Sequence, residues 1–236
     1  MTRRGVLGAG IGTILASLSG CNIFKSPSYR FRLTINVDTP EGLKTGSSVC
    51  EVKADRGTDL LTGGGYQATK MRGEAAFVEL LPGRYLFALL PTNDPLLPDI
   101  SLKSLEALDG GFEYKRYDST RRIAKSGTIG PVKLEEGDLP ILVTFEDLAD
   151  RASLEVVEPS MIPSIFGAGY RLSSITVGTT TDPVTDHVGE TFPWLATAGK
   201  RLKPSTTIYS SEKPLGEKIW PRHFRLTEFG TGRLQI

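Results

Sequence analysis

Tyr29-Arg30-Phe31-Arg32-Leu33-Thr34-Ile35-Asn36-Val37 alternates apolar and polar side chains without a break. A period of two places Tyr29, Phe31, Leu33, Ile35 and Val37 on one face of a β-strand, and Arg30, Arg32, Thr34 and Asn36 on the other. Asp38-Thr39-Pro40-Glu41-Gly42 follows with turn-forming residues. Residues 48–54 read as a second strand, with Cys50 and Val52 inward. Gly63-Gly64-Gly65 marks a turn, and residues 66–71 read as a third strand. Residues 75–81 and 84–90 flank Pro82-Gly83 as a hairpin. Five strand segments in close succession predict a mainly β fold, an antiparallel sandwich or barrel-like domain with one or two short helices.

The rest of the chain is less regular. Residues 91–98 hold three prolines and read as a loop. Asp99 is placed to cap a helix over residues 101–108, with Leu102 and Leu105 on one face and Gly110 stopping it. Residues 111–137 read mostly as loop, with a strand near 129–134. Residues 140–145 and 154–157 resume the strand pattern, and residues 160–166 allow one or two helical turns limited by Pro163. Residues 170–179 are rich in β-branched side chains and read as a strand. Ile208-Tyr209 and residues 223–229 are weaker strand candidates. Residues 29–236 are therefore expected to form a single β-rich domain. A boundary between two subdomains, if there is one, falls between 91 and 137.

Ahead of this domain the chain has a different character. Met1-Thr2-Arg3-Arg4 is basic, and the 14 residues from Gly5 to Leu18 carry no charge. A basic start followed by a short apolar core is the pattern of a secretory signal peptide. The apolar run is too short to span a bilayer comfortably, which takes about 20 residues. It ends in Leu18-Ser19-Gly20-Cys21, which resembles the lipobox of bacterial lipoproteins: an aliphatic residue, two small residues and a cysteine. The resemblance implies that residues 1–20 are removed and that the Cys21 thiol carries diacylglycerol. It also implies that the new amino group is often acylated, and that residues 21–28 form a lipidated tether. Two or three acyl chains hold stably where one holds only marginally. Asn22 is not the aspartate that commonly retains lipoproteins at the inner membrane, which favours the outer membrane of a bacterial envelope. Thr2-Arg3-Arg4-Gly5-Val6-Leu7 partly resembles a twin-arginine signal, with Val6 where phenylalanine is commoner, so both export routes stay open. Gly8-Ala9-Gly10-Ile11-Gly12 looks like a fragment of a phosphate-cradling loop, but no strand precedes it.

The body is also similar to a group of uncharacterised bacterial proteins. Phe31-Arg32-Leu33-Thr34, Thr39-Pro40-Glu41-Gly42, Thr45-Gly46-Ser47-Ser48-Val49, Leu142-Val143-Thr144-Phe145 and Phe166-Gly167 carry that likeness. It implies no activity.

Composition narrows the chemistry. The chain of 236 residues has a formal net charge of +1, which becomes −1 once Arg3 and Arg4 are removed. No basic face for nucleic acid is indicated. Lipidation of Cys21 removes the only disulfide partner of Cys50, which then reads as a small hydrophobe packed in a strand. There are two histidines. His187 lies in Asp182-Pro183-Val184-Thr185-Asp186-His187, with Glu190 nearby, a set able to ligate a metal or orient a general base. Its spacing matches no metal motif, and a solvated loop explains it equally. His223 reads as a surface or half-buried strand residue. Glu146, Asp147 and Asp150 form an acidic cluster that reads as a solvated turn rather than a calcium or hydrolytic site. Lys115, Arg116, Arg121, Arg122 and Lys125 form a basic run that reads as an exposed loop, or as a contact for anionic headgroups. No catalytic, metal or cofactor-binding residue is assigned. The first expectation is a non-enzymatic, lipid-anchored module meeting the membrane through Cys21 and a protein or envelope partner. The alternative is a lipid-anchored hydrolase built on loop 182–190.

Overall fold

The alternating stretch forms β1 (Ser28–Thr39), the second of whose neighbours arrives from the far end of the domain. The computed structural model describes residues 26–58, 63–90, 99–110, 115–148, 150 and 153–193. β1 turns at Pro40-Glu41 into β2 (Gly42–Thr58), with Thr39 paired to Gly42 and Ser28 to Lys53. The Thr39 hydroxyl closes the turn, donating to the Gly42 carbonyl at 2.7 Å and accepting from the Glu41 amide. β3 (Gly65–Arg72) pairs with the distal half of β2. β4 (Ala76–Leu81) and β5 (Arg84–Ala88) form the expected hairpin.

α1 (Ile100–Asp109) follows, capped by Asp99, whose carboxylate accepts from the Ser101 amide at 2.9 Å. α2 (Arg116–Lys125) occupies a segment expected to be loop. Its buried side consists of Ser119, Thr120 and Ile123, so small polar residues take the place of the apolar stripe that identifies a helix. Asp118 in its first turn and Arg122 and Lys125 in its last do match the helix dipole. β6 (Val132–Lys133) is short, but Ile129 and Leu134 extend its hydrogen bonding on either side, to the Thr179 amide and the Ile175 carbonyl. β7 (Leu142–Phe145), β8 (Leu154–Val156), a 3-10 turn leading into α3 (Ile162–Phe166), β9 (Arg171–Thr179) and α4 (Val188–Thr191) complete the order.

Two open antiparallel sheets result, neither closed into a barrel. The larger runs β3-β2-β1-β9-β6 and the smaller β4-β5-β7-β8. Among the described residues there are four short α-helices, where one or two were expected.

The inward row of β1 (Phe31, Leu33, Ile35 and Val37) is fully buried. It packs with Val78, Leu80 and Leu86 of the smaller sheet, and with α1 and α2 through Leu105, Leu108 and Ile123. One apolar cluster thus joins both sheets and the two ten-residue helices, α1 and α2, across the 91–137 interval. The Tyr29 hydroxyl reaches Ser104 of α1 at 3.0 Å, which satisfies a phenol otherwise cut off from water.

The smaller sheet is covered on both faces. Leu86 and Ala88 point into the shared core, while Tyr85, Phe87 and Leu89 point away from it into a second cluster with Phe77, Val143, Phe145, Val188 and Phe192. All four residues of β7 are buried, as expected of a strand with no solvent face. Among the described residues no helix is long and apolar enough to cross a membrane.

Candidate functional site

The loop singled out in sequence, 182–190, is the centre of a strap that crosses the larger sheet. It leaves β9 at Thr179 and is bound first by β1, where the Thr180 amide donates to the Arg30 carbonyl at 3.0 Å. The period of two in β1 turns Arg30 and Arg32 to the face opposite the core. There the Arg30 guanidinium donates to the Asp182 carbonyl at 2.7 Å, and Arg32 pairs with the Asp182 carboxylate while also reaching Ser47. The Thr180 hydroxyl and then Arg32 hold the Asp182 carboxyl below the usual carboxylate range.

Further along, Thr185 docks on the edge of β2 beyond the end of β3. Its amide donates to the Val49 carbonyl at 3.2 Å, and its hydroxyl accepts from the Val49 amide at 3.0 Å. That edge is therefore paired at Val49.

The strap's last fixing point is Glu74, in the crossing between β3 and β4. This carboxylate is 2 % exposed. Its Oε2 accepts from the His187 amide at 2.6 Å and from the Val188 amide at 2.7 Å. It caps α4 from another part of the chain, satisfying donors a helix start leaves open. α4 then delivers Val188 and Phe192 to the outer face of the smaller sheet. The Phe192 ring meets Phe77, Tyr85 and Phe87 edge to face, with centroids 5.0 to 5.1 Å apart.

The sequence-derived candidates divide accordingly. Asp182 is engaged by Arg32 and Thr180. His187 contributes its backbone to the Glu74 cap, while its imidazole is exposed. Its Nδ1 stands 3.9 Å from the Glu190 carboxylate, beyond hydrogen-bond length, with the two side chains 69 % and 81 % exposed. Asp186 is exposed as well. Among the described residues no group of three or more His, Cys, Asp or Glu side chains is placed to hold a metal ion. At the acidic cluster, Ser153 organises a turn by donating to the Asp147 and Asp150 carbonyls. The basic run is helical. Arg122 makes a two-pronged pair with Asp109 of α1, and Arg121 pairs with Asp118. Cys21, loop 91–98, the strand candidates past residue 200 and His223 lie outside the described residues.

Cys50 sits fully buried beneath this crossing. A Cβ at Gly73 would come within 2.6 Å of its sulfur, so no reagent has room to approach from that side. Burial pushes the thiol up to about 12, against the opposing influence of the Ser48 hydroxyl and the Glu74 carbonyl. A shift of that size cuts the thiolate fraction at neutral pH by about a thousandfold. Iodoacetamide is therefore expected to leave Cys50 unmodified in the folded protein and to alkylate it fully in denaturant, as read by peptide mass.

No known family, no curated protein and no solved structure matches the chain.

Proposed function

We propose that this chain is an exported bacterial envelope lipoprotein, anchored through Cys21, whose β domain is a non-enzymatic binding or structural module. The observation that carries the anchoring is Leu18-Ser19-Gly20-Cys21, set at the end of a short apolar run behind Arg3-Arg4. Its four positions supply what lipid transfer and cleavage need: a nucleophilic thiol and small residues before it. The domain is compatible with so short a tether, because its β1–β2 ladder is already formed at Pro27, whose carbonyl accepts from the Ala54 amide at 3.0 Å.

The non-enzymatic part of the reading is supported by how strap 180–192 uses its polar groups. Asp182 and Glu74 spend their carboxylates on holding chain segments together. The most chemically versatile side chain, His187, stands in solvent without a close partner to orient it. Asn22 favours the outer membrane as destination.

Metabolic labelling with a fatty acid tests the anchor. The protein is expected to incorporate label and fractionate with membranes, and Cys21→Ala is expected to lose the label entirely. Label retained by that variant, or a mature N-terminus at a residue other than Cys21, overturns the proposal.

A further inference from the structure

β2 is paired unevenly. β1 runs along one of its edges from Gly42 to Lys53, whereas β3 reaches along the other only as far as Glu51, which pairs with Arg72. Between Glu51 and the β1–β2 turn, that second edge is met at Val49 by Thr185. The ladder with β1 keeps one register throughout, so the main-chain groups of β2 alternate strictly from side to side. Val49 turns its amide and carbonyl away from β1, to Thr185, and Ser47, Thr45 and Leu43 turn theirs the same way. Ala54 shows the opposite sense, its amide donating to Pro27 ahead of β1. Among the described residues nothing bonds to the main chain of Leu43, Thr45 and Ser47 on that side, and all three residues are exposed.

Open edges are normally blunted by a proline, a bulge or a charge. Leu43-Lys44-Thr45-Gly46-Ser47 contains no proline and no register shift. Its one charge, Lys44, lies on the core side, where it donates to the Leu80 carbonyl at 2.9 Å and stands 3.7 Å from Glu41, so it does not repel an incoming strand. On the outer side Leu43 is 61 % exposed.

Thr185 shows what this edge accepts. Its amide and hydroxyl make, on Val49, the two bonds that one residue of an antiparallel strand makes with its amide and carbonyl. The open positions continue that contact in line. A second copy of the chain fits them badly. Laid antiparallel with Thr45 opposite Thr45, it brings Glu41 of one copy level with Val49 of the other, where Thr185 already sits. Moved clear of Thr185, with Lys44 on the two-fold, it sets Lys44 opposite Lys44, and like charges directly opposite repel. A single extended segment meets neither obstacle.

Resting on the reading of the domain as a binding module, we infer that the β2 edge from Leu43 to Ser47 binds an extended segment of another protein as an added antiparallel strand. Main-chain bonds to Leu43, Thr45 and Ser47 supply the affinity. An apolar side chain beside Leu43 and β-branched ones beside Thr45 and Ser47 set the preference.

The test titrates the full lipidated chain, in neutral detergent, with a fluorescent, end-blocked peptide of alternating valine and threonine, followed by anisotropy. Saturable binding is expected. The same peptide N-methylated throughout keeps its side chains but has no main-chain donors, and should bind about tenfold more weakly or worse. Thr45→Pro removes an amide that faces away from β1 and leaves the β1–β2 ladder intact, so it should melt normally and bind about tenfold more weakly. Amide exchange at Thr45 and Ser47 should be fast in the free protein and slow with the peptide. Absence of binding, or binding that neither N-methylation nor Thr45→Pro weakens, overturns the inference. Slow exchange without peptide also overturns it: slowing that grows with protein concentration makes a second copy the occupant, and slowing that does not makes it another part of this chain. The proposed function is judged separately, by fatty-acid labelling at Cys21 and by partners held at any other face.

Discussion

Gly46→Ala is expected to destabilise the domain by about 3 kcal/mol or more, lowering its melting temperature by roughly 6–12 °C. β2 passes directly over β4 at this residue. A Cβ on Gly46 would stand 1.9 Å from the Phe77 carbonyl oxygen, 2.6 Å from its carbon and 2.9 Å from Val78 Cβ. Those are main-chain and Cβ atoms, which no rotamer change can move. To restore ordinary contact distances the strands must separate by more than about 1 Å in a core packed like a crystal. Separation would strain Ile35, which pairs with Gly46 and is fully buried. It would also pull Lys44 from the Leu80 carbonyl, to which it donates at 2.9 Å. Gly83→Ala supplies the comparison. Gly83 has φ +74° but open space around its Cβ position, so its loss costs only the left-handed backbone penalty, about 1 kcal/mol. Equal losses in the two variants, measured by chemical denaturation, would show that the sheet contact at Gly46 is not what matters.

Gly46 also shows where the sequence stops being informative. The alternation of β1 is legible because one face of that strand meets the core and the other meets polar groups. The sequence reading starts β2 at residue 48, since Gly42 to Ser47 hold two glycines, a lysine and a serine and only one β-branched residue, Thr45. In the structure it begins at Gly42, because pairing with β1 outweighs weak propensity. Glycine there signals close backbone approach, a meaning visible only once β4 is in place. α2 was missed for a related reason. Its buried face is Ser119, Thr120 and Ile123, of which only Ile123 is apolar, so hydrophobic periodicity vanishes. The candidate loop shows the same limit. Asp182 and His187 stand out in sequence because they resemble a chemical set. What they do depends on Arg32, 150 residues away, and on Glu74, 113 residues from His187. A lone glutamate between two strands carries no sequence signal of burial. Its role arises from the crossing between sheets.

Glu74→Ala is accordingly the second large effect, an expected loss of about 3 kcal/mol concentrated in the strap. Hydrogen bonds to an ionised acceptor contribute roughly 1.5–3 kcal/mol each, and one oxygen here accepts two. Truncation removes both bonds and leaves the buried Val188 amide without its acceptor, together with a cavity under α4. The consequence is local first. Freed from its cap, the segment carrying Val188 and Phe192 loses its hold on the aromatic face of the smaller sheet, while the core between the sheets persists. Amide exchange at residues 187–192 should therefore accelerate far more than exchange in β1 or β2, and limited proteolysis should cut within 180–187. Glu74→Gln keeps an oxygen acceptor without the charge and should lose about half as much. Phe192→Ala acts on the same strap from its other end. Once either residue is gone the strap is already loose, so the double variant should lose clearly less than the sum of the two. Strict additivity, or exchange that quickens uniformly across both sheets, would mean that Glu74 supports the whole fold rather than the strap.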